Sequence, residues 1–256
     1  MFSSLVNLLF PPTCIFCKKP LLPQEVKNFL CVSCLANAPF FTEPGCPLCA
    51  GQIGYSLCCT QLGQKPFSFS GTTALGLYGG DLKNCLHRLK YGGSSHLAKP
   101  LGQLMARAVC QQETWPQFSA VVPIPLHPRR LRERGYNQSY LLAREVASAL
   151  KVPIADILER RINTPPQTKL PRKERLSNMK GAFSLKSFST SPSFFSTLLL
   201  RRPLSQHTST AQTFPSEQII LLVDDIFTTG STLEAAAAEL ISRGAAGRVY
   251  TAVAAR

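Results

Sequence analysis

The sequence predicts an α/β protein in which a parallel sheet flanked by helices is preceded by a small cysteine-rich module. Three observations support this fold class. From about residue 67 onward, short apolar runs of strand type alternate with segments whose apolar residues recur every three or four positions. Eight of the ten cysteines lie between positions 14 and 59. The 256 residues, 45% of them hydrophobic, are enough for one large domain plus a small module.

The strands and helices follow from apolar patterning. Apolar and β-branched runs predict strands, and amphipathic stretches predict helices. The strand signal is clearest in IILLVDD, and glycines end the helix that follows it. The predicted strands are 74–77, 119–125, 219–225 and 248–255, and the predicted helices are 82–89, 97–109, 135–152 and 232–247. Strands that alternate with helices in this way form a parallel sheet.

A change of composition near residue 66 divides the chain into a cysteine-rich module, residues 1–66, and an α/β domain, residues 67–256. Residues 187–217 contain thirteen Ser or Thr and one acidic residue, which predicts a loosely ordered insertion between two strands. Near the amino terminus, apolar residues at helical spacing over 2–9 predict a docking helix rather than an export signal. No run of about 18 apolar residues exists, so no membrane span is expected. We therefore expect a cytoplasmic protein with reduced thiols.

Two cysteine pairs, Cys14-x2-Cys17 and Cys31-x2-Cys34, are separated by thirteen residues. Each pair presents two thiolates on a short turn, and four such sulfurs close a tetrahedron around Zn²⁺. Structural zinc supplies folding free energy that so small a module lacks. The spacing therefore predicts a zinc site at these four cysteines, with reduced, buried thiols as the alternative.

The second cysteine group is a weaker metal candidate, because adjacent cysteines chelate one metal less cleanly than cysteines separated by two residues. The remaining two cysteines, Cys85 and Cys110, fall on predicted helix faces, and we expect them to be core thiols. The weaker candidates for metal ligands are Cys46, Cys49, Cys58 and Cys59.

A buried strand, 219–223, ends in two carboxylates, and a segment of small residues then opens a helix. In open parallel sheets, ligands bind beyond the carboxyl ends of the strands, where the free N–H groups of a helix N-terminus face an anion. Hydroxyl groups add donors, and Gly230 permits a backbone conformation that other residues resist. A ligand with vicinal hydroxyls and a phosphate would bind both the carboxylates and the donors at the start of the helix. The alternative is a purely structural motif, in which an acidic strand end is followed by a helix cap. The candidate residues are Asp224, Asp225, Thr228, Thr229, Gly230, Ser231 and Thr232.

The segment LLVDDIFTTGSTL is similar to the phosphoribosyl-pyrophosphate (PRPP) signature of type I phosphoribosyltransferases. The segments VPIPLHPRRLRERGYNQS and TPPQTKLPRKERLSNMKGAF, together with the leading cysteine pairs, resemble the competence protein F (ComF) family. The resemblance covers nearly the whole chain apart from the 187–217 insertion. It implies a type I phosphoribosyltransferase-like fold behind a four-cysteine zinc finger, and a link to the uptake of transforming DNA in competent bacteria.

The resemblance also implies roles for individual residues. Asp224 and Asp225 would hold the ribose hydroxyls of PRPP, and Thr228 to Thr232 its 5′-phosphate. In the resembling enzymes Mg²⁺ bridges the pyrophosphate and ribose oxygens while a nucleophile displaces pyrophosphate at ribose C1, so that catalysis is mostly positioning and charge stabilisation. In the family the second cysteine group usually ends in another CxxC pair. In this chain Gln61 occupies the position where the last cysteine of that pair is expected.

Positive charge is concentrated in the α/β part of the chain. The net charge is +14, but residues 1–70 carry four Lys and two acidic residues, a net of only +2. Residues 160–180 carry seven Lys or Arg against Glu174 alone, and we expect the loop 162–180 to close over the site. Arginine guanidinium and lysine ammonium groups bind a compact, highly charged pyrophosphate well, so these residues are candidates for a pyrophosphate site. The alternative is that they form a basic surface that contacts only solvent. The candidates for the pyrophosphate site and its loop are Lys90, Arg129, Arg130, Arg132, Lys169, Arg172, Lys173 and Arg175.

Together with these features, the family resemblance implies a PRPP-binding protein that transfers phosphoribosyl with release of pyrophosphate. The alternatives are a non-catalytic nucleic-acid-binding competence protein and a PRPP sensor that keeps the fold. The expected partners are PRPP, single-stranded DNA and other competence proteins. Glutamine hydrolysis is not expected, since amidophosphoribosyltransferases use an amino-terminal cysteine, whereas this chain starts with Met1 and commits Cys14 to zinc.

Overall fold

The structure is a computed structural model that describes residues 11–41, 46, 48–50, 67–162, 181–186 and 218–256. The strands are β1 (Gly71–Gly76), β2 (Ala120–Pro123), β3 (Leu158–Arg160), β4 (Phe183–Leu185), β5 (Ile219–Ile226) and β6 (Arg248–Ala255). Four of them form a parallel sheet in the order β1-β6-β5-β2, while β3 and β4 pair separately in an antiparallel hairpin. The predicted parallel sheet is confirmed.

The helices are α1 (Val32–Ala36), α2 (Gly80–Tyr91), α3 (Ala98–Cys110), α4 (Pro128–Arg134), α5 (Gln138–Leu150) and α6 (Ser231–Ser242). Four of them match the predicted helices, but α1, α4 and the β3–β4 hairpin were missed. Helix α4 is rich in arginine and buries none of its residues, so it has no apolar stripe to detect. It begins with Pro128 at its first turn and ends at Gly135, which adopts a φ of 80°.

The sheet separates two apolar cores. Along β5, Leu222 belongs to a core shared with α6, whereas Leu221 and Val223 belong to a core formed with α2, α3 and α5. This alternation is the period-two geometry of a strand with both faces covered. It explains why β5 is apolar along its length until Asp224.

The cysteine-rich part of the chain packs against both faces of the sheet. Cys14 belongs to the core shared with α2 and α3, and Cys49 belongs to the core shared with α6. Between them the chain passes the edge of β1, where the Leu77 N–H donates to the Pro39 carbonyl over 2.7 Å. A β-carbon at Gly76 would lie 2.2 Å from the same carbonyl oxygen, so this close passage requires glycine.

Several predictions fall outside the described residues. They concern the helix over 2–9, the boundary near residue 66, the insertion 187–217, and the residues Cys58, Cys59, Lys169, Arg172, Lys173 and Arg175. Cys85 is buried, as expected, but the prediction that Cys110 is a core thiol was wrong. Cys110 ends α3 one position after the buried Val109, on the exposed side of the helix. Within the described ranges, no helix combines the length and apolar content needed to cross a membrane.

Candidate functional site

Strand β5 ends in two buried carboxylates at the carboxyl edge of the sheet. Asp224 is 8% exposed and Asp225 is 4% exposed. Ser139 Oγ, in the first turn of α5, donates to Asp224 Oδ1 over 2.8 Å, and the Asp225 N–H donates to the same oxygen over 2.9 Å. Asn137 caps α5 by accepting from the Ser139 N–H over 3.0 Å, and its amide donates to the Ile124 carbonyl after β2 over 3.0 Å. The start of α5 is thereby held against the ends of two strands.

The fold changes the ionisation of the Asp224 carboxyl. Burial raises the pKa of Asp224 from its ordinary 3.8 to about 7, and repulsion from Asp225 acts in the same direction. The hydrogen bonds from Ser139 and from the Asp225 N–H oppose this rise. The raised pKa favours the protonated form of the Asp224 carboxyl, and a cation that arrives at the pair favours its ionised form.

Lys90, in the last turn of α2, supplies a positive charge to this pair. Its Nζ lies 2.9 Å from Asp225 Oδ2, with the two side chains 20% and 6% exposed. Burial by itself lowers the pKa of Lys90, but the attraction of Asp225 and Asp224 outweighs it, so the pKa is raised overall. The Tyr136 hydroxyl donates to the Leu89 carbonyl over 2.5 Å and holds the end of α2 in place. The structure thus brings Lys90, a pyrophosphate candidate, to the acid pair.

The segment 227–232 connects the acid pair to α6, and we call it the phosphate turn after the role expected for it from the sequence. Gly230 adopts a φ of 78°, in the left-handed region. A β-carbon there would lie 2.7 Å from Phe227 Cζ and 2.9 Å from Phe67 Cε1. Both the backbone conformation and the packed rings therefore require glycine.

Hydroxyl groups line the phosphate turn. Thr229 and Ser231 are buried, with their oxygens 3.0 Å apart, while Thr228 is exposed and Thr232 is half-buried. Gly230 occupies the N-cap of α6 and brings no side chain to the N–H groups of the first helical turn. The turn therefore presents hydroxyl and N–H donors at a helix N-terminus directly after two carboxylates, the arrangement expected from the sequence.

The basic residues of α4 differ in their surroundings. Arg129 pairs with Glu133 over 3.1 Å, with the two side chains 69% and 62% exposed, and Arg132 is also exposed. Both arginines face solvent. Arg130 is half-buried, and its charge acts on Arg160 at the end of β3.

Arg160 was not among the predicted site residues, although it is the first cation of the basic run 160–180. Burial lowers the pKa of its guanidinium, the charge of Asp224 opposes this shift, and Arg130 reinforces it. Arg160 is therefore close enough to the acid pair to interact with it. Ser139 was missed as well, and its only sequence signal is its position in the first turn of a helix that follows a strand.

A cavity of about 550 Å³ opens between the segment 125–141 and the β3–β4 hairpin. Its lining includes Asn137, which accepts from the Ser139 N–H, and Arg160, whose guanidinium interacts with the charge of Asp224. Two further lining residues, Asp156 and Lys186, form an ion pair at 2.6 Å. The volume is that of a small-molecule site, and Arg160 contributes positive charge to its lining.

The sulfur atoms of the four predicted zinc ligands form one cluster. The sulfurs of Cys14, Cys17, Cys31 and Cys34 all lie within 4.8 Å of one another, and the Cys17 and Cys31 sulfurs are 3.7 Å apart. Four thiolates bound to zinc at about 2.3 Å are separated by about 3.8 Å in a tetrahedron. Burial raises the pKa of the Cys14 thiol. Hydrogen bonds from backbone N–H groups, the strongest of them from Cys31, lower the pKa by more than burial raises it and bring it to about 7. The sulfur set and its spacing fit a structural zinc ion.

Comparisons with known proteins agree with both parts of this geometry. Residues 137–256 match the family model of the phosphoribosyl transferase domain, and residues 5–63 match that of the double zinc ribbon domain. Competence protein F of Haemophilus influenzae is 30% identical over 226 residues, which cover 86% of each chain. The chain belongs to the competence protein F family.

Other relatives of this ComF-family protein carry related names. DNA utilization protein YhgH of Escherichia coli is 27% identical over 245 residues, covering 93% of this chain and 95% of the relative. Competence protein ComFC of Bacillus subtilis is 25% identical over 227 residues, covering 86% of this chain and 81% of the relative. The similarity therefore extends over both the cysteine-rich and the α/β parts.

In this ComF-family protein, Cys46 and Cys49 lie on the same type of turn as the first cysteine pair. In the second cysteine turn, described at residues 46 and 48–50, the Ala50 N–H donates to the Cys46 carbonyl over 2.8 Å and Ala50 has a φ of 52°. In the first, the Lys18 N–H donates to the Cys14 carbonyl over 3.0 Å and Lys18 has a φ of 67°. The weaker candidates Cys46 and Cys49 are 3% and 0% exposed. Among the described residues, a four-sulfur cluster is present at the first group.

Proposed function

We propose that this ComF-family protein binds Mg²⁺-PRPP at the carboxyl edge of its sheet and transfers phosphoribosyl to an acceptor, with release of pyrophosphate. The observation that carries the proposal is the buried Asp224-Asp225 pair, compensated by Lys90, directly before the phosphate turn. The two carboxylates would accept hydrogen bonds from the ribose hydroxyls. The turn would donate to the 5′-phosphate.

The donor set also fits Mg²⁺, which prefers hard oxygen ligands and is commonly held by one or two carboxylates together with substrate phosphates. When bound, Mg²⁺ would neutralise charge between the pyrophosphate and ribose oxygens. Ser139 and the Asp225 N–H occupy one oxygen of Asp224 and so orient its other oxygen. Arg160 and Arg130 would stabilise negative charge as pyrophosphate leaves, because the charge of Arg160 interacts with Asp224 and that of Arg130 interacts with Arg160.

We extend to this chain the role for which its relatives are named, competence and DNA utilization. The solvent-facing Arg129 and Arg132 are the residues of α4 available to attract single-stranded DNA or other competence proteins. The thiolate chemistry of the zinc site supports a cytoplasmic location. Since its backbone geometry repeats that of the first turn, the second cysteine turn is proposed as half of a second zinc site, with Cys58 and Cys59 as candidates for the other half.

Calorimetric titration with Mg²⁺-PRPP tests the site. Asp225→Asn keeps the side-chain size but removes an anionic acceptor, and we expect affinity to fall about 10- to 100-fold. Thr229→Val should weaken binding less, since the N–H groups of the turn remain. Asp81→Asn, at an exposed carboxylate of α2, is the control and should bind as the wild type does.

Measurement of pyrophosphate release with a panel of bases then tests catalysis. Release that depends on both an acceptor and Asp225 supports transfer. Binding without release for any acceptor would replace the transferase with a PRPP sensor. Unchanged PRPP affinity in Asp225→Asn and Thr229→Val, at unchanged melting temperatures, would reject the site itself.

A further inference from the structure

Arg256 lies between the second cysteine turn and the phosphate turn. Its Nη2 donates to Cys49 Sγ over 3.5 Å, and its guanidinium carbon lies 5.2 Å from the centroid of the Phe227 ring. The Arg256 backbone is anchored at the sheet edge, since its N–H donates to the Gly76 carbonyl over 3.0 Å and its carbonyl accepts from the Tyr78 N–H over 2.9 Å. One guanidinium therefore contacts a buried sulfur and the first side chain of the phosphate turn.

The Phe227 ring in turn limits the space around Gly230. It packs edge-on against Phe67 and Phe69, with centroid separations of 5.9 and 6.4 Å and interplanar angles of 89° and 88°. The Phe227 N–H donates to the Ala255 carbonyl over 2.8 Å, so the backbone is held while the ring depends on its neighbours. With only 2.7 Å between the ring and a β-carbon built at Gly230, a displaced ring has to displace the turn.

The second cysteine turn is itself attached to the sheet. The Thr72 hydroxyl donates to the Leu48 carbonyl over 2.9 Å and lies 2.7 Å from the Thr251 hydroxyl, joining the turn to β1 and β6. Cys49 is fully buried in the core that also contains Phe69 and Phe227. A contiguous path of packed groups therefore leads from the Cys49 sulfur through Arg256 and Phe227 to the phosphate turn.

We propose that Arg256 is a positioning residue that couples the second cysteine turn to the phosphate turn, so that perturbing the cysteine turn weakens PRPP binding. The inference rests on the proposed PRPP site. The contact with Cys49 helps to hold the Arg256 guanidinium over the Phe227 ring. Without this contact the guanidinium loses one of its anchors, and the ring can move into the space that the turn needs. A desolvated cation–π contact of this kind corresponds to about a tenfold change in affinity.

The test uses the full chain with Arg256→Ala, Arg256→Lys, Cys49→Ala and the double variant Arg256→Ala with Cys49→Ala. Arg243→Ala is the matched control, because Arg243 is an exposed arginine that pairs with Glu239 at the far end of α6. Three quantities are measured for each protein: Mg²⁺-PRPP affinity by calorimetry, amide hydrogen exchange of residues 227–232 without ligand, and zinc content.

We expect Arg256→Ala and Cys49→Ala each to accelerate exchange in residues 227–232 and to weaken PRPP binding about tenfold. Arg256→Lys should recover part of both losses because it retains a cation. The double variant should be little worse than either single variant, since both remove the same coupling. If the losses of PRPP affinity in the two single variants add fully in the double variant, Arg256 and Cys49 act independently and the proposed coupling is wrong.

Amide exchange separates this inference from the proposed function. If the wild type does not bind Mg²⁺-PRPP, the proposed function fails, and the exchange rates of residues 227–232 still decide whether Arg256 positions the turn. If Cys49→Ala does not fold, the two Arg256 variants decide the question. Exchange and affinity in Arg256→Ala equal to those in Arg243→Ala would show that Arg256 has no positioning role.

Discussion

Replacing Gly230 by alanine perturbs the phosphate turn in two ways. The residue adopts a φ of 78°, and an L-residue in the left-handed region costs about 1–2 kcal/mol. The new β-carbon would also lie 2.7 Å from Phe227 Cζ and within 3.0 Å of Phe67, so one ring or the turn has to move. Overpacking of this kind costs about 1–3 kcal/mol more. We therefore expect Gly230→Ala to lower the free energy of unfolding by about 2–5 kcal/mol.

Gly244, which follows the other end of α6, provides a matched control. It adopts a φ of 69°, and a β-carbon there would meet nothing within 4 Å. Gly244→Ala therefore has the conformational cost alone, about 1–2 kcal/mol. The difference between the two variants isolates the packing of the turn against its rings.

Urea unfolding of the two variants and the wild type measures the free energies, and calorimetry measures Mg²⁺-PRPP affinity. Gly230→Ala should be the less stable variant and should bind PRPP more weakly than Gly244→Ala at a temperature where all three proteins are folded. Equal losses of stability in the two variants, with equal PRPP affinity, would refute the argument that the rings and the turn are packed against one another.

Three further predictions concern the zinc site and the acid pair. Cys31→Ser should lose at least one zinc ion per chain by elemental analysis, whereas Cys110→Ser, at an exposed thiol, should lose none; full retention in Cys31→Ser would reject the ligand assignment. Because the pKa of Asp224 is raised to about 7 in the folded protein, stability from this group is present below its ordinary pKa of 3.8 and is lost as pH rises through 7. Urea unfolding of the ligand-free protein should therefore show the wild type losing stability relative to Asp224→Asn over that range, and parallel curves would contradict the raised pKa. Lys90→Met removes the cation 2.9 Å from Asp225, so it should shift this pH dependence of stability to higher pH and weaken Mg²⁺-PRPP binding. An unchanged pH profile would show that the Lys90–Asp225 ion pair is not coupled to Asp224.

Features encoded over a short stretch of chain were predictable. The strand that carries Asp224 is an uninterrupted apolar run, and Gly230 stands in a motif of adjacent residues. The ligands of the first zinc site are recognisable from the two-residue gap within each cysteine pair, and the four sulfurs do converge. Local patterns failed where the pattern was short: α4 has no apolar stripe, the strands of the β3–β4 hairpin have three residues each, and Cys110 lies one helical position away from the core.

The sequence by itself determined the order of the four sheet strands and the four long helices, the acid pair, the glycine of the phosphate turn and the first zinc site, because each depends on neighbours along the chain. Only the tertiary structure decided which distant groups meet them. Lys90 reaches Asp225 from α2, Ser139 reaches Asp224 from α5, and Arg256 joins Cys49 to the turn. These contacts follow from the order of the strands and from the faces on which the helices pack. Burial then sets their strength, because a carboxylate shielded from water depends on the few charges and donors that the fold places beside it.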